Sequence, residues 1–130
     1  MLAAYKLVID TNVYSALLAG DKKVQKTIEQ ASLVLVPPIV IAELLVWFQL
    51  GKKEKQNLQL LSEFLEQPTV EQPPITMTTA KQFAQIFTHL KTIGKPIPIN
   101  DVWIAACAKE HNAELLTLDK HFQLIPDLLI

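Results

Sequence analysis

Short apolar runs that stop at an acidic residue or a proline, separated by segments of helical period, constrain this chain more than any other feature of its sequence. Residues 5–9 (YKLVI) are β-rich and end at Asp10, residues 33–36 (LVLV) are stopped by Pro37 and Pro38, and residues 114–118 (ELLTL) end at Asp119. Between and around them, helical patterns cover residues 12–18, 22–30, 38–51, 53–67, a stretch from Thr79 onward, and 101–111. A continuous apolar run reads as a strand buried on both faces, and strands alternating with helices predict parallel βα units. The expected fold is α/β: a three-layer α/β/α sandwich around a central, mainly parallel sheet of four to five strands. Further short strands are expected around 69–71 and at 128–130. In the stretch after Thr79, Phe83, Ile86, Phe87, Leu90 and Ile93 follow the i, i+3, i+4, i+7 rule and predict one buried face. A length of 130 residues fits one domain, 1–130.

The charge balance limits the partners. All 12 basic residues are Lys against 13 acids, for a net charge of −1. The footprint of a strongly basic nucleic-acid binder is missing, so contact with a polyanion has to be local. Without Arg there is no planar fork to grip phosphate bidentately, and metal ions are the alternative source of positive charge. The lone Cys107 lies in an apolar stretch and cannot form an intramolecular disulfide, which suits a reducing compartment. Lys6 and Asp10 interrupt the N-terminal run before a signal peptide can develop, and the chain is expected to be cytoplasmic. Residues 33–50 are apolar enough to raise the question of a membrane span. Pro37 and Pro38 divide that stretch into strand and helix, and a carboxylate such as Glu43 near a span's centre costs roughly 2.5–3.5 kcal/mol. Half of the residues (50%) are hydrophobic, which leaves either a large core or apolar surface reserved for partners.

Four acids stand where chemistry is most readily built. Asp10 follows an apolar strand, at the sheet edge where open α/β folds bind ligands, although it also suits a helix cap. Glu43 sits in a helix that is apolar from Ile39 to Ala42 and from Leu44 to Phe48. A carboxylate there is costly unless it is paired, hydrogen-bonded or bound to a cation, or occupies the one wet spot of the helix. Asp101 resembles a helix N-cap and Asp119 a turn initiator, so each alone has an ordinary explanation. In a parallel sheet, however, all four positions can share one rim. Carboxylates gathered there raise one another's pKa, and a divalent cation resolves the conflict. All-oxygen ligation favours Mg²⁺ or Mn²⁺, and no Cys/His cluster suggests zinc. His89, His111 and His121 are scattered and read as surface residues, with His121 the only one near an acid in sequence.

The segments LVIDTNVYSALL, VPPIVIAELL and IPINDVWIAACAKEHNAELLTLDKHF, in this order and spacing, resemble the PIN-domain ribonucleases, and within them the VapC-like toxins of type II toxin–antitoxin systems. The resemblance implies an Mg²⁺-dependent endoribonuclease with Asp10, Glu43, Asp101 and Asp119 as catalytic and metal-binding residues, Asp119 being the position that varies in the family. It further implies that Thr11, Asn12 and Thr117 position water or substrate. Asp10 and Asp101 are expected to ligate metal directly, Glu43 directly or through a water, and Asp119 at a second metal position or in an outer shell. The implied partners are RNA, a cognate antitoxin and a second copy of the chain in a homodimer, with the Leu58, Leu61, Phe64 and Leu65 stripe as a candidate antitoxin surface. Lys22, Lys23, Lys26, Lys52, Lys53 and Lys55 are available to steer RNA.

Other classes fit less well. A haloacid-dehalogenase-like phosphatase needs a second Asp two residues after the first, where this chain has Asn12, and a receiver-like domain needs an Asp between Asp21 and Asp101. A non-catalytic module on the same scaffold has no need of the acids.

Overall fold

A computed structural model describes residues 5–130 of the chain. The first four residues, on which part of the reading of the N-terminus rests, lie outside the described residues. Four strands, β1 (Lys6–Ile9), β2 (Leu33–Leu35), β3 (Val70–Glu71) and β4 (Glu114–Leu116), pair in the order β3-β2-β1-β4, every pairing parallel. Six helices flank the sheet: α1 (Thr11–Leu18), α2 (Lys22–Gln30), α3 (Pro38–Leu50), α4 (Glu54–Leu65), α5 (Met77–Thr92) and α6 (Ile99–Glu110). Because all strands run the same way, the residues that follow β1, β2 and β4 emerge on one rim.

Burial explains the strand sequences. β1 is central, paired on both edges, and Leu7, Val8 and Ile9 are fully buried. α6 contributes Ile104, Ala105, Ala106, Cys107 and Ala108 to the core, and its small side chains allow a close approach to α5 and β1. α3 buries Val40, Leu44 and Phe48, a row at i, i+4 and i+8, while Val46, Trp47 and Leu50 remain exposed. Helix ends follow local chemistry. The Asp21 carboxylate accepts from the Lys23 and Val24 amides at 3.0 and 3.1 Å, and Pro38 opens α3 where its missing N–H costs nothing. α5 starts two residues before Thr79 because Thr76 and Thr79 form a reciprocal capping box.

Several expectations need correction. The four strands observed agree with the four to five expected, but residues 128–130 form none, and a single bond from the Leu115 amide to the Leu129 carbonyl (2.7 Å) holds the tail beside β4. Pro126 and the positive φ of Asp127 (60°) break the extended run needed for a ladder. β4 stops at Leu116, since the Thr117 hydroxyl bonds to Asp10 and also receives the Asp119 amide (3.0 Å). An unforeseen 3₁₀ turn, Lys120–Leu124, follows and buries Phe122. The expected apolar face of α5 is only partly inward: Ile86 and Leu90 are buried, whereas Phe87 and Ile93 are exposed. The Leu58 to Leu65 stripe also divides. Leu61 and Phe64 belong to the core, with Phe64 edge-on to Tyr14 at 5.3 Å, and Leu58 is exposed. Among the described residues, no helix is long and apolar enough to cross a membrane.

Candidate active site

Asp10 directly follows β1 and is 4% exposed. One carboxylate oxygen accepts from the Val13 amide at 3.0 Å, so Asp10 does cap α1, and the other accepts from the Thr117 hydroxyl beyond β4. The cap fixes the side chain without exhausting it, because a carboxylate has about four acceptor sites. Glu43, half-buried in α3, accepts from the Thr11 hydroxyl at 2.7 Å, which explains how an otherwise apolar helix carries it. Asp101 is not the cap of α6: Pro98 occupies that position, and Asp101 lies in the first turn, half-buried, with no capping bond. Asp119 follows β4 with its side chain 43% exposed.

These residues meet in one cleft of about 490 Å³, lined by Asp10, Thr11, Asn12, Glu43, Asp101 and Asp119, with Trp47, Pro98, Ile99 and Asn100 completing the wall. Of the catalytic, metal-binding and positioning residues expected from the sequence, only Thr117 is not part of the lining; it reaches the site through its hydrogen bond to Asp10. The structure adds His121, for which the sequence predicts a surface position. Its Nε2 lies 2.7 Å from an Asp101 oxygen, though not aligned as a hydrogen bond, and its Nδ1 lies 3.4 Å from Asp119. The signal was its spacing two residues beyond Asp119; the 3₁₀ turn that carries it to Asp101 was not legible.

Electrostatics in the cleft oppose ionisation. Burial pushes the Asp10 carboxyl above the ordinary range; its bonds from Thr117 and Val13 pull the other way, and the negative charges of Asp119 and Glu43 add to the rise. Asp101 is likewise raised, first by burial, with His121 opposing and with Glu43 and Asp119 reinforcing. An acidic site that strains against its own charge is suited to a cation. The donors fit one: Asp101, Asp119 and His121 each offer a ligand atom within 4.8 Å of the others, and the rest of the set is carboxylate oxygen. Carboxylate oxygens, the majority of these donors, favour hard divalent ions, and the His121 imidazole is the one nitrogen donor among them.

A parallel α/β sheet with an acidic cleft at the C-terminal rim of its strands is the frame of a metal-using hydrolase, and the profile of the PIN domain matches residues 7–128. The chain belongs to the PIN-domain family, whose ribonucleases are generally metal-dependent, and within it to the VapC branch. Ribonuclease VapC of Rickettsia bellii is 32% identical over 127 residues, covering 94% of this chain and 92% of that protein. In the crystal structure of VapBC2 from Rickettsia felis bound to a DNA fragment from their promoter, the matching chain superposes with a TM-score of 0.87 at 26% identity, covering 95% of this chain and 96% of that one. VapBC-5 of Mycobacterium tuberculosis, a member of the VapBC family of toxin–antitoxin systems, gives a TM-score of 0.73 at 25% identity over 95% and 93% of the two chains.

Proposed function

We propose that this chain, as a single PIN-like domain, is an Mg²⁺- or Mn²⁺-dependent endoribonuclease and the toxin of a toxin–antitoxin pair acting in the cytoplasm. The observation that carries the reading is the convergence of Asp10, Glu43, Asp101 and Asp119, from separate elements, on one cleft. Asp10 and Asp101 are the direct ligands of the cation. Glu43, held through one oxygen by Thr11, keeps the other for the ion or a water. Asp119 serves a second or outer position, beside His121. Thr117 orients Asp10, and Asn12, exposed on the cleft wall, meets substrate or water. A cation bound there supplies positive charge against the phosphate oxygens and acidifies water, which suits phosphodiester hydrolysis to 5′-phosphate and 3′-hydroxyl ends.

The antitoxin is expected to fill a hollow between α3 and α4, where Leu58 and Leu65 of the predicted stripe stand beside Ile41 and Leu45, and Ser62, Glu66 and Gln72 supply a polar side. Other exposed apolar residues, Val46 and Leu50 among them, are available to a homodimer. Production of the chain in bacterial cells tests the toxin assignment. Growth should arrest, and either Asp10→Asn or co-production of the cognate antitoxin should restore it. A wild type that is harmless in several hosts while active on RNA in vitro contradicts the toxin reading and leaves a housekeeping nuclease.

A further inference from the structure

One wall of the cleft is unlike the rest. Trp47 lies one helical turn beyond Glu43 on α3, so the two side chains share a face, and the residue is 44% exposed and lines the cleft. The core does not need it: the inward row of α3 is Val40, Leu44 and Phe48. Nor is it engaged with another ring. Trp103 stacks on Phe83 at 4.2 Å, whereas no aromatic pair among the described residues includes Trp47.

Charge makes this wall informative. None of the 12 Lys residues lines the cleft, and the chain has no Arg. A polyanion entering the cleft meets four carboxylates, and a bound cation compensates only near the phosphate it touches. Nucleotides on either side of that phosphate need an attraction that does not depend on positive side chains. An exposed indole provides one, because every base offers a π face to an aromatic ring. A base inside an A-form duplex is already stacked and cannot reach such a platform, which restricts it to single strands and loops.

We propose that Trp47 is the base-stacking platform of the cleft, receiving a nucleobase adjacent to the scissile phosphate of single-stranded or loop RNA; the proposal rests on the nuclease reading above. The test compares cleavage of a short single-stranded RNA by the wild type, Trp47→Ala, Trp47→Leu and Trp47→Phe. Loss of one base–aromatic stack is worth roughly 5- to 150-fold. KM should rise by about that factor in Trp47→Ala and Trp47→Leu, with kcat changing much less, and Trp47→Phe should recover most of the loss because it retains a π face. An unchanged KM in Trp47→Ala overturns the proposal, as does a Trp47→Leu enzyme equal to Trp47→Phe, which would reduce the site to apolar contact. A second measurement is independent of cleavage. In Trp103→Phe, where Trp47 is the one remaining indole, rapid mixing with the same RNA should quench the fluorescence. No quenching overturns the platform. Quenching without cleavage by the wild type overturns the nuclease reading and leaves the platform standing.

Discussion

Asp10 combines two duties that sequence reasoning sets against each other. It caps α1 through the Val13 amide and still stands in the cleft, tied to Thr117. Its carboxyl and that of Asp101 are raised above their ordinary values, chiefly by burial. The folded protein therefore holds these protons more tightly than the unfolded chain. The stability this pair contributes is fully present below the unfolded pKa of about 3.9, and it is lost as pH rises through the raised folded value. At neutral pH the metal-free protein carries that loss. Asp10→Asn removes a charge while keeping a side chain that caps well, so in chelator it should melt higher than wild type by roughly 2–8 °C, the equivalent of about 1 kcal/mol. Lowering the pH from 7 toward 4 should narrow the difference. Millimolar Mg²⁺ should raise the wild type more than the variant, because the ion binds the folded site and scarcely the unfolded chain. A variant that melts lower than wild type in chelator would show that hydrogen bonding outweighs charge at this residue. The acids were legible because each interrupts or ends an apolar pattern. His121 was not, since nothing in its neighbourhood announces the turn that brings it within 2.7 Å of Asp101.

Elements were legible in proportion to how much of their pattern is local. β1, β2 and α2 follow from apolar runs and helical spacing, and Pro38 and Gly51 bracket α3 as the sequence indicates. Long-range contacts decide elsewhere: the tail beside β4 has apolar residues but only one backbone bond to that strand, and α5 leaves Phe87 and Ile93 outside the core. α3 lacks a distinct polar face, so which of its residues face inward could not be read from periodicity. The structure makes that distinction measurable. Leu44 is fully buried, and Leu44→Ala should cost roughly 2–5 kcal/mol in urea unfolding. Leu50, 82% exposed on the same helix, should change the stability of the chain by no more than about 0.5 kcal/mol when replaced by Ala, at concentrations too low for a dimer to form. Equal costs at higher concentrations would mean that an interface in solution covers Leu50. Thr11→Val probes the contact between α1 and α3. It leaves Glu43 without the hydroxyl that meets it at 2.7 Å and should weaken Mg²⁺ binding in calorimetry by on the order of 10-fold. Unaltered affinity would place Glu43 outside the metal site.

At the scale of the whole molecule, function follows from strand direction. Four parallel strands in the order β3-β2-β1-β4 set the ends of β1 and β4 side by side, and with them Asp10, Thr117 and Asp119. Helices α3 and α6 then bring Glu43 and Asp101 to the same cleft. That much was legible, because apolar runs separated by helices require parallel strands and parallel strands share a rim. The shape of the cleft wall was not, since Trp47 and Ile99 reach it only through the packing of α3 and α6. The proposed activity of this acidic cleft is hydrolysis of RNA with a divalent cation. The direct measurement is cleavage of RNA by the purified chain, freed of antitoxin, in Mg²⁺ and in EDTA, with Asp101→Asn as control and the product ends identified. Cleavage should require the metal, vanish in Asp101→Asn, and leave 5′-phosphate and 3′-hydroxyl ends. Undiminished cleavage in EDTA, or 2′,3′-cyclic phosphate ends, would contradict the account.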